Sequence, residues 1–195
     1  MKNKIIFLLF SLWCSICTAT PISETTPTQL KKFTDNLESV SATFKQTKIL
    51  PESTKQFVSN GHVKFVKNVG FTWHQQKPEE NVFTSTLENY CVNGQKSELS
   101  TLPYFYQIQT MIDKMLNGDM SDFLYAFNAD YVEKGTKWTL VATPRLTNIA
   151  DIIQDLTIYG NNTDLNKIIM TYYDGTIIIL EFSKIKTDIP DEIIC

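Results

Sequence analysis

GHVKFVKNVGFTWHQQKPEEN, residues 61–81, reads as two strands folded back on each other. Val63 and Phe65 share one face of the first strand, with His62 and Lys64 on the other. Phe71 and Trp73 share one face of the second, with Thr72 and His74 opposite. Lys67-Asn68-Val69-Gly70 supplies the turn, since Asn and Gly tolerate positive φ. The return strand ends at Lys77-Pro78, because proline has no N–H for a ladder. A hairpin centred on Asn68 sets Phe65 against Phe71 and Val63 against Trp73, giving an aromatic stripe on one sheet face.

Upstream, Thr54 to Ser59 is a strand, and Asn60-Gly61 leads into the hairpin by a turn or bulge. Leu50 to Ser53 is a loop. Val40, Ala42 and Phe44 alternate with Ser41, Thr43 and Lys45, a strand that ends on Phe44-Lys45-Gln46. Before it, Thr26-Pro27 resembles a cap and first helical residue, and Leu30, Phe33, Leu37 and Val40 follow at helical spacing. This predicts an amphipathic helix over about residues 27–39. Lys2 and Lys4, the apolar run Ile5 to Trp13 and the small residues Cys17-Thr18-Ala19 read as a signal peptide over residues 1–19. The apolar run is too short to span a bilayer.

Downstream, Val82 to Leu87 and Tyr90 to Val92 are strands, with a turn at Asn93-Gly94. From Pro103 the period becomes helical. Tyr104, Ile108, Met111 and Met115 fall on one stripe, and Asn117-Gly118 ends it. Asp119 then caps a second short helix whose apolar face is Met120, Phe123, Leu124 and Phe127. Helices with such broad apolar faces need a sheet beneath them. The remainder is β: Tyr131–Glu133, Lys137–Thr143, Ile152–Tyr159, Lys167–Tyr173 and Thr176–Phe182, with turns at Gly135, Gly160-Asn161-Asn162 and Asp174-Gly175.

Two landmarks together carry a family resemblance. One is Lys67-Asn68-Val69-Gly70-Phe71-Thr72-Trp73 followed by Pro78-Glu79; the other is Leu37-x-x-Val40-x-Ala42-x-Phe44-x-Gln46. They resemble the LolA family of periplasmic lipoprotein carriers, whose pattern has Arg-Pro where this chain has Lys67-Asn68. Trp138 to Pro144 resembles a third family strand. The resemblance implies an incompletely closed antiparallel β-barrel, a strongly curved sheet with an N-terminal helix and a helical lid over its concave face. It also implies a lipid-binding cavity, and the shared parity of the strand residues with the apolar stripes of the two helices gives its expected lining as Phe44, Phe65, Phe71, Trp73, Met111, Met115 and Phe123; a monomer is expected. Lys67 stands where the family's lid-latching arginine would be. Implied partners are acylated cargo (outer-membrane lipoproteins or a glycolipid), an inner-membrane ABC transporter and an outer-membrane receptor.

Removing residues 1–19 takes away two lysines and no acids, so 18 basic and 21 acidic side chains become 16 and 21, net −5. That balance argues against nucleic acid and anionic membranes as main partners. Roughly 175 residues remain, the length of one domain over 20–195. Of four cysteines, Cys91 and Cys195 lie beyond the signal. An oxidising compartment permits a bond between them, but spacing alone does not show that they meet. The chain has no phosphate loop, nucleophile elbow or dinucleotide motif, so neither cofactor nor catalysis is expected. His62 and His74 fall opposite each other on the polar face, short of the three or four ligands of a zinc site. A second reading also follows: a protein-docking module whose interior is filled by its own aromatics, since the chain has 12 Phe and 8 Tyr.

Overall fold

The structure, a computed structural model, describes residues 37–53, 55–86, 89–96, 114, 117, 119–190 and 193. Residues 27–36 of the helix expected over 27–39, most of the lid helix from Pro103, and with it Met111 and Met115, lie outside these residues. Eleven strands form one antiparallel sheet. In chain order they are β1 (Ser39–Ile49), β2 (Gln56–Val66), β3 (Gly70–Lys77), β4 (Asn81–Thr86), β5 (Tyr90–Val92), β6 (Gln95–Lys96), β7 (Phe127–Lys134), β8 (Lys137–Pro144), β9 (Ile153–Asn161), β10 (Asp164–Tyr172) and β11 (Ile177–Thr187). Two short helices are described, α1 (Ser121–Ala126) and α2 (Thr147–Ala150).

The strand order is β6-β5-β4-β3-β2-β1-β11-β10-β9-β8-β7. Two meanders are therefore joined through β1 and β11, and the sheet does not close into a barrel. The central hairpin has the expected register, with Phe65 opposite Phe71 and Val63 opposite Trp73. Asn68 takes φ 58 at its turn. Residues 54–59 are not a separate strand, because β2 runs through Gly61. The Asn60-Gly61 signal is a register shift in β2. Gly61 admits no side chain there: a Cβ would sit 1.9 Å from the His74 carbonyl oxygen.

Two further expectations are corrected. Ser39 opens β1 and is not the end of a helix. Phe127 opens β7 and does not continue the helix at Met120, whose six residues stop at Ala126. Phe127 keeps its apolar role, stacking on Phe123 at 5.1 Å between ring centroids. Asp119 does not cap α1 by its N-cap position, which is Met120; its carboxylate instead accepts from the Ser121 backbone N–H at 2.9 Å.

Alternation and register fix a single inner face. Tyr90, Ser85, Phe71, Phe65 and Val40 form one row across β5 to β1; Val92, Phe83, Trp73, Val63 and Ala42 form the next. Beyond β1 the same face continues through Leu180, Ile168, Ile158, Leu140 and Tyr131. Phe123 of α1 lies 1 % exposed among Phe127, Ala129, Trp138, Leu140, Ala142 and Ile158. Trp138 is positioned by its indole N–H, which donates to the Asn162 carbonyl at 2.9 Å. Its ring lies over Gly160, where a Cβ would come within 2.0 Å of it. Gly160→Ala must displace that ring, an overpacking cost of about 1–3 kcal/mol. Thermal unfolding followed by circular dichroism should show a midpoint lower by about 2–4 °C per kcal/mol; an unchanged midpoint would mean that the ring is not seated there.

Candidate functional site

The inner face over β1 to β5 is an aromatic wall. Phe44 stacks on Trp73 at 3.9 Å between centroids with the planes 29° apart, and Phe71 lies 6.4 Å from the same indole. Phe83 and Tyr90 continue the wall at 5.9 Å. The strands dictate this: Gly61 faces Phe44 across β2, so the Phe44 ring meets no Cβ there and reaches toward the Trp73 ring on β3. Each offset aromatic pair contributes about 0.5–1.5 kcal/mol beyond area burial.

Phe44 and Phe65 are fully buried, at 1 % and 2 % exposure. Phe71 and Trp73 are only half-buried. Trp73 thus has Phe44 stacked on it and Phe71 tilted beside it, and Phe65 shares their face. Phe123 packs on the other half of the inner face, with Phe127 and the β7–β10 residues. Phe83, Tyr90 and Phe127 line the face as well; sequence spacing placed Phe127 on a helix face and did not assign Phe83 or Tyr90 to the lining. Phe83 could have been: carrying the hairpin register one strand past Pro78 sets it opposite Trp73. Among the described residues no charged side chain is buried. Such an aromatic lining suits hydrocarbon.

The β2–β3 turn is held from two sides. The Lys67 ammonium donates to the Glu38 carboxylate at 3.1 Å, and the Lys67 backbone N–H donates to the Glu38 carbonyl at 2.8 Å. The Asn68 N–H donates to the Asn117 side-chain oxygen at 2.9 Å. The turn therefore meets the foot of β1 through Lys67, and the 103–127 segment through the Asn68 backbone. Lys114 pairs with Asp122 of α1 at 2.7 Å. Neither Glu38 nor Asn117 stood out in the sequence, because both contacts join segments far apart in the chain.

His62 and His74 are directly opposed in register. They lie on the outer face, and His74 Nε2 is 2.9 Å from the Glu80 carboxylate. Among the described residues no group of three or more His, Cys, Asp or Glu is arranged to hold a metal ion. No described helix is long and apolar enough to cross a membrane.

The family described as outer membrane lipoprotein carrier protein LolA matches residues 35–192. No curated protein matches the chain in sequence. Among solved structures, a LolA superfamily protein from Nitrosomonas europaea is similar at 13 % identity and TM-score 0.46, over 85 % of this chain and 95 % of that one. Lipoprotein LppX of Mycobacterium tuberculosis is similar at 11 % identity and TM-score 0.46, over 87 % and 100 %. The Pseudomonas aeruginosa MucA/MucB complex includes a chain similar at 12 % identity and TM-score 0.42, over 83 % and 58 %.

The inner face also sets one pH dependence. Burial pushes the Tyr131 hydroxyl up to about 12, and the Glu133 carboxylate, which accepts its hydrogen bond at 3.3 Å, adds to the shift. An unfolded tyrosine releases its proton near about 10. The folded state therefore holds the proton more tightly, and stability falls as pH rises from about 10 to about 12. Tyr131→Phe should remove that part of the alkaline slope. Urea midpoints of both proteins across the window are the check; parallel curves would show that Tyr131 ionises as it does unfolded.

Proposed function

The chain belongs to the LolA family, and from that membership we propose that it is a periplasmic carrier shielding the acyl chains of lipoproteins, or of a related glycolipid, against its inner face. In this reading residues 1–19 are removed on export and residues 20–195 form one carrier domain, working as a monomer. Cargo passes from an inner-membrane ABC transporter to an outer-membrane receptor. The supporting observation is the half-buried aromatic surface of Phe71 and Trp73, built on the buried Phe44 and Phe65, on a face without buried charge. Met111, Met115 and Phe123 would complete the lining from the helical side. Each methylene removed from water contributes about 0.8 kcal/mol, so even a short length of acyl chain binds usefully.

One observation favours a second reading. Phe44, Phe65 and Phe123 are already buried without cargo, as in a docking module with a filled core. Phe71 separates the two. Phe71→Glu puts a charge on the half-exposed part of the wall and should abolish binding of a fluorescent acyl probe while the far-UV spectrum stays intact. Unchanged probe binding in a folded variant would defeat the carrier reading and leave the module.

Release needs a competing closed state, and Lys67 is the residue proposed to bias it. Its ion pair with Glu38 is partly exposed, the Lys67 side chain at 21 % and Glu38 at 71 %. An exposed pair of this kind contributes about 0–1 kcal/mol and joins the turn to the foot of β1; a latch from the same ammonium to the 103–127 segment, if as exposed, would bias the closed state as weakly and leave loading easy. Lys67→Leu should keep probe uptake and alter its release rate. Lys67→Arg should slow uptake, because a planar fork binds several acceptors at once. Stopped-flow uptake and release in the three proteins is the comparison; identical kinetics would mark Lys67 as a solvated turn residue.

A further inference from the structure

We propose that Ser59 and Gln46 form a polar seat on the inner face, and that it takes the acyl carbonyl of a cargo whose hydrocarbon lies along Phe71 and Trp73. This inference deepens the carrier reading and rests on it. The observation that carries it is the Ser59 hydroxyl. Ser59 is 7 % exposed, and its Oγ has no hydrogen-bond partner among the described residues. Hydroxyls elsewhere in the sheet find one. Thr72 lies 3.5 Å from Thr84 across the ladder, Thr171 donates to Asp155 at 3.3 Å, and the Ser39 hydroxyl accepts from the Ile189 N–H at 2.9 Å. A buried polar group without a partner weakens the state that contains it, so in a folded protein it marks a place built to receive one.

Register puts that hydroxyl on the inner face. Ser59 pairs with Gln46, and Gln46 pairs with Leu180, so both extend the inward row of Leu180, Ile168, Ile158 and Leu140. Over β1 to β3 the inner face changes character at one level. On β1 Gln46 lies beside Phe44, on β2 Ser59 lies beside Gly61, and on β3 Gln75 lies beside Trp73, each two residues along and on the same face. The face is thus amphipathic along the strands, with rings toward the β2–β3 turn and polar groups away from it. The Gln75 amide is already tied, its Nε2 donating to the Glu79 carbonyl at 3.1 Å. Gln46 is half-buried and directly opposite Ser59, yet it does not satisfy the hydroxyl.

An acyl chain has the same order: hydrocarbon, then a carbonyl at its linkage. A carbonyl oxygen only accepts, whereas a hydroxyl and a primary amide both donate. Ser59 stands two residues, about 7 Å, along β2 from Gly61, the residue over which the Phe44 ring reaches toward Trp73. A carbonyl held at Ser59 therefore delivers the first methylenes of its chain onto those rings. Gln46 turns about its side-chain torsions to admit the carbonyl and to donate to the same oxygen. A plain alkyl chain would leave the Ser59 hydroxyl unpaired. The seat thus discriminates an acyl linkage from an alkyl one, because a site with a buried donor disfavours a ligand that lacks the acceptor.

The test loads the purified protein with the fluorescent acyl probe and displaces it with two competitors of matched length. Methyl dodecanoate carries the carbonyl, and methyl dodecyl ether lacks it. The ester should displace the probe at a concentration about 2–10-fold lower than the ether, the range of one net hydrogen bond. Ser59→Ala should leave displacement by the ether unchanged and bring the ester to the same level. Without ligand its thermal midpoint should not fall, since no bond within the protein is lost; a lower midpoint would place a protein partner on the hydroxyl and overturn the seat. Equal displacement by ester and ether in the native protein, or an ester preference that survives Ser59→Ala, would overturn this inference and leave the carrier reading standing. Displacement by neither competitor would overturn the carrier reading, and the seat with it.

Discussion

Strand β1 holds the molecule together. On one side it pairs with β2, and on the other with β11 over Val40–Thr187 to Ile49–Ile177. Every other pairing in the sheet joins neighbours in sequence. The β1–β11 ladder is the one non-local closure, and its entropic cost rises only with the logarithm of the enclosed length. Its reward is large: it fuses two meanders into one sheet with a shared inner face. Phe44, at the middle of β1, is buried to 1 % because both meanders and the Trp73 ring surround it.

The two halves of that face are finished differently. Over β7 to β10 the cover is internal, with Phe123 of α1 filling the space above Leu140 and Ala142. Over β1 to β5 the wall keeps half-buried rings at Phe71 and Trp73. Packing at native density leaves a side chain with little freedom to accept a guest. Adaptable surface therefore sits on the hairpin side, next to the turn that Glu38 and Asn117 hold.

Local chemistry made much of this legible. The alternation of Val63, Phe65, Phe71 and Trp73, with Asn68 able to take positive φ, fixes the hairpin and its register without reference to the rest of the chain. Turns at Asn93-Gly94, Gly135 and Gly175 are likewise written in residues that tolerate positive φ. What was not legible depends on distance. Phe127 has the right spacing for a helix face, and its place in β7 is decided by pairing with Pro144 across the sheet. The continuity of β2 through Gly61 depends on β1, opposite which Asn60 and Gly61 pair with Lys45 and Phe44. Glu38 as the partner of Lys67, and Ser39 as the dock for Ile189 150 residues later, are contacts that no periodicity announces.

A sheet that stops short of closure leaves two borders. One, β6, is two residues long and offers little to pair with. The other, β7, runs eight residues and among the described residues pairs only with β8. Unpaired N–H and C=O groups along such a border are a template on which any extended chain can add. Asp130, Glu133 and Lys134 lie along it, and they tax an approaching apolar strand with desolvation of charge. Val132, 66 % exposed in their midst, is the weak point. Of the two borders it is this longer one on which a second chain could add, and a sheet that stays open must guard that margin against becoming a fibre.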